Sequence, residues 1–300
     1  MITLNKIKKT FNKGTVTALK DISFSVEKAE LFGLIGPDGA GKTTLFRILT
    51  TLLLADDGAA TVNDFDVVKD YKQIRSCVGY MPGKFSLYQD LTIEENLNFF
   101  ATVFGTTIEQ NYDLIKDIYQ QIEPFKDRRA GQLSGGMKQK LGLCCALIHK
   151  PVVLFLDEPT TGVDVVSRRE FWEMLKKLKG QGITILVSTP YMDEANLCDR
   201  IALLQKGQVL SIDTPAKIIE SYPDKLFAIT SSDIFKSLQD TRTYPGIASV
   251  FTFGDTLHAT FTGSSEKGIL AFLHDKGHPD ASLETITPGI EDCFIHLLKN

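Results

Sequence analysis

Over the first 28 positions apolar and polar residues alternate, in Ile2-Thr3-Leu4 and again in Ile22-Ser23-Phe24-Ser25-Val26, the period of half-buried strands. The pattern then becomes continuous: Leu31-Phe32-Gly33-Leu34-Ile35 is apolar throughout, as a strand buried on both faces requires. After a glycine-rich break, Thr44-Leu45-Phe46-Arg47-Ile48-Leu49 restores helical spacing. Asp56-Asp57-Gly58 predicts a turn, and residues 60–63 and 77–81 read as strands.

From about residue 85 to 149 the chain is helical in character. Thr92 stands as a cap with Glu95 at the capping-box position, and helical spacing continues through 111–122 and 135–149. An unbroken apolar run at 152–156 predicts another buried strand, followed by a helix over 167–179, strands at 183–188 and 201–204, and a hairpin at Lys206-Gly207. This alternation predicts a parallel sheet covered on both faces, interrupted by a helical insertion. Beyond Tyr222-Pro223-Asp224 the order becomes βαββαβ, the strands falling at 227–230, 248–253, 257–261 and 282–286 and the helices at 232–239 and 266–276. That is a ferredoxin-like order, and a helix at 290–298 closes it. Two domains are therefore expected, an α/β unit over 1–220 and a small α+β unit over 223–300.

Composition narrows the classes. Three hundred residues at 43% hydrophobic can bury a sizeable core, and a net charge of −4 gives no electrostatic footprint for nucleic acid. Five cysteines without a framework spacing suit a reducing compartment; Cys144-Cys145 sit in an apolar helical segment and read as core. There is no secretory leader and no apolar run of about eighteen residues, so action at a membrane requires a separate spanning chain.

The chemistry concentrates in three stretches. Gly36-Pro37-Asp38-Gly39-Ala40-Gly41-Lys42-Thr43, with Thr44 beginning the next apolar segment, has the spacing of a phosphate-binding loop between a strand and a helix. Its glycines let backbone N–H groups turn inward onto phosphate oxygens, Lys42 reaches the β- and γ-phosphates, and the Thr43 hydroxyl helps to hold Mg²⁺. Asp157-Glu158 end the buried strand at 152–156; there Asp157 suits Mg²⁺ and Glu158 suits a base for the attacking water, their side chains diverging as successive strand residues do. Leu133-Ser134-Gly135-Gly136-Met137 opens a helix with a hydroxyl and free N–H groups, an anion-binding arrangement and equally an ordinary cap. Phe11 is open between an exposed ring able to stack on adenine and a core-facing strand residue.

Taken in order, residues 36–43, 133–137 and 152–158 with Thr161-Gly162-Val163-Asp164 resemble the ATP-binding subunit of ABC transporters, over about residues 1–220. Gly135-Gly136-Met137-Lys138-Gln139-Lys140 and Tyr191-Met192-Asp193-Glu194-Ala195 are similar to the exporter branch associated with multidrug and antibiotic efflux, most of all to the first half of tandem exporter ATPases of the YbhF type. The resemblance implies a P-loop NTPase (RecA-like) core with an N-terminal antiparallel β subdomain. It also implies a head-to-tail pair of ATP-binding domains on the cytoplasmic face of the membrane, beneath a permease subunit. In that pair Phe11 stacks on adenine, Ser134, Gly135 and Gly136 serve the partner's ATP, and Asp164 belongs to the loop joining the two sites.

Two positions depart from the pattern. Where the family places a Gln after Met81-Pro82 this chain has Gly83, and where it places a His after Ser188-Thr189 it has Pro190. Neither offers a polar side chain. The site is therefore expected to bind MgATP and hydrolyse it slowly unless Lys84 or Tyr191 stands in, and a heteromeric pair is favoured over a homodimer. A non-hydrolysing regulatory subunit is the next reading. A soluble ABC-type switch is weaker, since neither tandem domains nor a coiled-coil insertion is evident in these 300 residues.

Overall fold

A computed structural model describes residues 1–299, which fall into two compact units, Met1–Ile218 and the chain from Ile219 onward. In the first unit β1 (Ile2–Phe11) and β2 (Val16–Val26) precede β3 (Leu31–Ile35), which feeds α1 (Lys42–Leu49). Next come β4 (Asp57–Val62), β5 (Phe65–Asp66), α2 (Tyr71–Cys77) and β6 (Val78–Met81). Three helices follow, α3 (Ile93–Val103), α4 (Tyr112–Tyr119) and α5 (Gly135–Leu147), before β7 (Val153–Asp157). The unit continues with α6 (Val165–Gly180), β8 (Thr184–Thr189), β9 (Arg200–Gln205) and β10 (Gln208–Asp213), and the chain leaves it within α7 (Pro215–Glu220).

The main sheet has the order β10-β9-β3-β8-β7-β6, parallel except for β10. A separate antiparallel sheet runs β2-β1-β4-β5. Parallel strands covered on both faces have no solvent side, which is why β3, β7 and β8 are buried at every position. Helix α1 is wedged where the two sheets share one core: its Leu45, Phe46, Ile48 and Leu49 pack with Ile2, Leu4 and Ile7 of β1 and with Phe155 and Leu186 of the parallel sheet. Phe46 meets Phe155 edge-on at 5.9 Å between ring centroids. The loop ahead of α1 is thus held between two rigid layers.

Helix α3 begins with the reciprocal cap its sequence predicts: Glu95 N–H donates to Thr92 Oγ1, and Thr92 N–H donates to the Glu95 carboxylate. Buried Asn96 accepts from Tyr88 N–H and donates to the Tyr88 and Thr92 carbonyls, fixing the loop before the helix.

The second unit comprises β11 (Leu226–Thr230), α8 (Ile234–Arg242), β12 (Ile247–Phe253), β13 (Thr256–Phe261), α9 (Ile269–Asp275), β14 (Ser282–Ile286) and α10 (Ile290–Leu297). Its antiparallel sheet has the order β12-β13-β11-β14, and Ile229, Val250 and Leu257 pack with Ile269 and Leu273 of α9.

Three local expectations are corrected. Asp57-Gly58 lie inside β4 instead of in a turn; Gly58 has φ +88° opposite an irregularity in β1, and a Cβ there would stand 2.3 Å from the Lys6 carbonyl oxygen. Cys77 ends a helix, not a strand, because α2 buries only Ile74 and so leaves no apolar period to read. Glu158 lies beyond β7 with φ +52°, so it departs from Asp157 by a left-handed backbone turn and not by strand alternation.

Phe155→Ala removes the ring on which α1 rests and should cost the first unit about 3–5 kcal/mol in denaturant unfolding. A loss below about 1 kcal/mol would show that Phe46 and its neighbours close the space, and the wedge would not be what holds the loop.

Candidate functional site

The loop between β3 and α1 is shaped by close backbone approaches. A Cβ on Gly36 would stand 2.2 Å from the Leu204 carbonyl oxygen, and one on Gly41 would stand 2.6 Å from that of Ala18. Gly41 caps α1 at φ +110°, a conformation that favours glycine. Neighbouring elements brace the loop: Gly36 N–H donates to the Thr189 carbonyl at 3.3 Å, and Gly207 N–H, from the β9–β10 hairpin, donates to that of Ala40 at 2.9 Å. Asp38 and Gly39 are exposed, Pro37, Thr43 and Thr44 half-buried, Ala40 buried.

Lys42 is 3% exposed. Its ammonium donates to the Gly36 carbonyl at 2.7 Å and to that of Pro37 at 3.1 Å, and pairs with Glu158 Oε1 at 3.0 Å. Three oxygens face a group with three protons, which is how a charge is tolerated at such depth. Ser188 organises the acids. Its hydroxyl donates to Asp157 Oδ1 at 2.7 Å, and both its oxygens accept from Glu158 N–H, at 3.0 and 3.1 Å. Burial, and then the Asp157 charge, push the Tyr80 phenol up to about 12, so it stays protonated beside the carboxylate.

The donor set fits MgATP: the loop can lie against the Leu204 and Ala18 carbonyls only because Gly36 and Gly41 lack side chains, and a buried ammonium and a buried carboxylate flank it. Thr43 and Asp157 are the residues available to the metal.

The other anticipated residues lie elsewhere. Phe11 is 38% exposed at the end of β1, beneath Lys9 Nζ at 5.7 Å, so the core-facing alternative fails. Ser134 and Gly135 are exposed and Gly136 half-buried at the start of α5, where Ser134 Oγ accepts from Met137 N–H at 3.4 Å. A Cβ on Gly136 would come within 2.8 Å of Ser167 Oγ, so the glycine lets α5 approach α6. Asp164 caps α6 by accepting from Ser167 N–H at 3.0 Å; the Ser167 backbone and side chain hold its carboxyl below the usual range. Val165 and Val166 beside it are 79% and 68% exposed, so this face of the unit is uncovered.

Gly83 follows β6 close to the acids: a Cβ there would lie 2.9 Å from the Asp157 carbonyl oxygen. Pro190 follows β8 beside Tyr191, whose N–H donates to Thr189 Oγ1 and whose ring lies 4.1 Å from the Arg168 guanidinium carbon, so Tyr191 is already committed. A mostly apolar groove of about 670 Å³ opens beside this loop, lined by Gly83, Phe85, Phe104, Lys138, Gly142 and His149 among others. There His149 stacks on Phe104 at 3.8 Å and donates from Nε2 to the Val78 carbonyl, and burial lowers its pKa.

Sequence reasoning missed Ser188, whose signal was a polar residue ending an apolar strand, and assigned no role to Thr160, Arg168, Thr189 or Glu194, which are joined by hydrogen bonds.

The family described as "ABC transporter" matches residues 19–161. The chain is 39% identical to the probable multidrug ABC transporter ATP-binding protein YbhF of Escherichia coli (strain K12), over 99% of this chain and 52% of that protein, so it spans about half that relative's length. It is 33% identical to the Nod factor export ATP-binding protein I of Rhizobium sp. (strain N33), over 99% of this chain and 96% of that one. A solved dimeric bacterial ABC transporter cassette aligns at TM-score 0.65 and 25% identity, covering 71% of this chain and 98% of that one.

Because the Asp157 carbonyl already occupies the space beside Gly83, Gly83→Gln should lower the melting temperature by an amount equivalent to about 1–3 kcal/mol, and should not speed ATP hydrolysis. A stable variant with faster turnover would mean that the loop accommodates the side chain.

Proposed function

The chain belongs to the family of ABC transporter ATP-binding proteins, and we propose from that membership that it is the energy-coupling subunit of an exporter, working peripherally on the cytoplasmic face of a membrane. The observation that carries the reading is the Lys42 ammonium, buried among the Gly36 and Pro37 carbonyls and Glu158. Those oxygens stand where a nucleotide would present its β- and γ-phosphate oxygens. Binding ATP exchanges neutral carbonyls for charged acceptors, which bond about twice as strongly, and frees Glu158 from its pair.

Loop N–H groups and the first turn of α1 hold the phosphates. Mg²⁺ bound at Thr43 and Asp157 would neutralise charge on the β- and γ-phosphates. Ser188 keeps Asp157 and Glu158 in register. Released from Lys42, Glu158 accepts the proton of the water that attacks the γ-phosphorus, and ADP leaves as the bridging oxygen takes the electron pair. The weak point is orientation of that water. Gly83 and Pro190 supply no polar side chain, and losing one preorganised donor costs about 2.7–4 kcal/mol, a factor of roughly 10²–10³ in rate. We infer a site that binds MgATP and turns it over slowly.

Ser134, Gly135, Gly136 and Asp164 occupy the uncovered face with Val165 and Val166, which supports a role on a second ATP-binding domain's nucleotide, in the manner of the dimeric cassette. Paired with a domain that keeps the two missing groups, this chain completes a competent site; hence a heteromeric pair. No helix among the described residues is long and apolar enough to cross a membrane. The export-related names of the relatives and the apolar groove beside Gly83 support docking beneath a membrane-spanning permease chain. The second unit reads as a ferredoxin-like accessory domain. A purely regulatory, non-hydrolysing subunit is the second reading, favoured by Gly83 and Pro190 together.

Calorimetry on the purified chain should detect MgATP binding that Lys42→Ala weakens roughly 10- to 100-fold. Single-turnover hydrolysis by the same chain should run about 10²–10³ times slower than in a site with the missing donors. A fast chemical step abolished by Glu158→Gln would contradict the slow-site reading.

A further inference from the structure

A buried carboxylate ties together the loops around the acids. Glu194 is 2% exposed in the turn after β8. Its Oε1 accepts from Arg168 Nε at 3.1 Å and from Nη2 at 2.9 Å, and its Oε2 accepts from Thr160 Oγ1 at 3.1 Å and from Thr189 Oγ1. A carboxylate has about four acceptor positions, and four donors meet this one. They come from three places: the loop after β7, helix α6 and the end of β8.

Each donor leads to a functional loop. The Thr189 carbonyl accepts from Gly36 N–H, and its hydroxyl also accepts from Tyr191 N–H, so it borders both the phosphate loop and Pro190. Thr160 lies between Glu158 and Asp164, and its carbonyl accepts from Val163 N–H at 3.2 Å. Arg168 N–H donates to the Asp164 carbonyl at 2.9 Å, in the first turn of the helix that Asp164 caps. Pro190 has no donor with which to grasp a γ-phosphate. Residues 189–191 are therefore held from behind by Glu194 as well as by strand pairing, and Pro190 adds no donor toward a nucleotide in front.

We propose that Glu194 is a positioning residue: it clamps residues 189–191 to residues 160–164, so that Asp164 and the Ser134-Gly135-Gly136 patch are presented to the partner's nucleotide whether or not this chain's own site is filled. The inference rests on the paired-subunit reading above. Arg168 supplies the charge that lets the carboxylate stay buried, and its guanidinium over Tyr191 extends the clamp past Pro190.

The test uses the complex purified with its membrane chain and companion ATPase, with turnover measured against MgATP concentration and calorimetry on this chain alone. Glu194→Ala should lower kcat of the complex by about tenfold or more per folded protein, while KM and this chain's MgATP affinity stay within about threefold. Glu194→Gln keeps the shape and most hydrogen-bond positions, and should retain kcat within about threefold of wild type. Should the alanine variant fail to fold, Thr189→Val removes one donor to Glu194 and the acceptor of Tyr191 N–H, and should lower kcat about three- to tenfold while the melting temperature falls by only about a few degrees. An unchanged kcat in both Glu194→Ala and Thr189→Val, or a fall in kcat matched by an equal fall in this chain's own ATP affinity, overturns the proposal. If the wild-type chain binds no MgATP, or the wild-type complex hydrolyses none, the paired-subunit reading itself falls and takes the proposal with it.

Discussion

The arrangement depends on placing a lysine ammonium at the mouth of α1 with almost no access to water. An ion of that size loses several kcal/mol of hydration on burial, so it persists only where oxygens are fixed to receive it. The Gly36 and Pro37 carbonyls and Glu158 do so here, and each is itself constrained. Gly36 is pressed against Leu204, and Glu158 hangs from Ser188 in a left-handed turn. Those constraints pass into β8 and β9 and the core shared by two sheets, so the loop's shape is a property of the whole first unit. A site so built keeps a buried cation ready for oxygen acceptors, and the proposed binding of a triphosphate rests on that.

Hydrolysis asks for more than binding, and the extra requirement is directional. A water must be held in line with the γ-phosphorus while Glu158 takes its proton. The loops that would steer it end in Gly83, crowded by the Asp157 carbonyl, and Pro190, which carries no donor. At the same time Ser134, Gly135 and Asp164 are exposed on the unit's uncovered side, with Gly136 half-buried beside them. These features together are what the proposed unequal pair rests on, in which this chain would clamp one nucleotide and complete the site of another.

Much of the first unit was legible because its strands are buried on both faces: a run such as Val153-Leu154-Phe155-Leu156 admits few other readings. The cap of α3 was legible for a different reason, since Thr92 and Glu95 bond to backbone only three residues away. Features resting on distant backbone were not. Gly58 reads as a turn until Lys6 is seen beneath it, and α2 has too few apolar positions to betray a helix. The site divided the same way. Lys42, Asp157 and Glu158 follow from local spacing, whereas Ser188 and Glu194 act on residues up to 34 positions away in sequence, a coupling that no spacing rule encodes.

The central proposal is that this chain holds ATP and consumes it only slowly while a partner turns over. The most direct measurement is to crosslink α-phosphate-labelled azido-ATP to this chain in the actively hydrolysing complex and to identify the nucleotide recovered. Intact triphosphate is the expected product. Recovery mainly of the diphosphate, lost when Glu158 is replaced by Gln, would contradict the account.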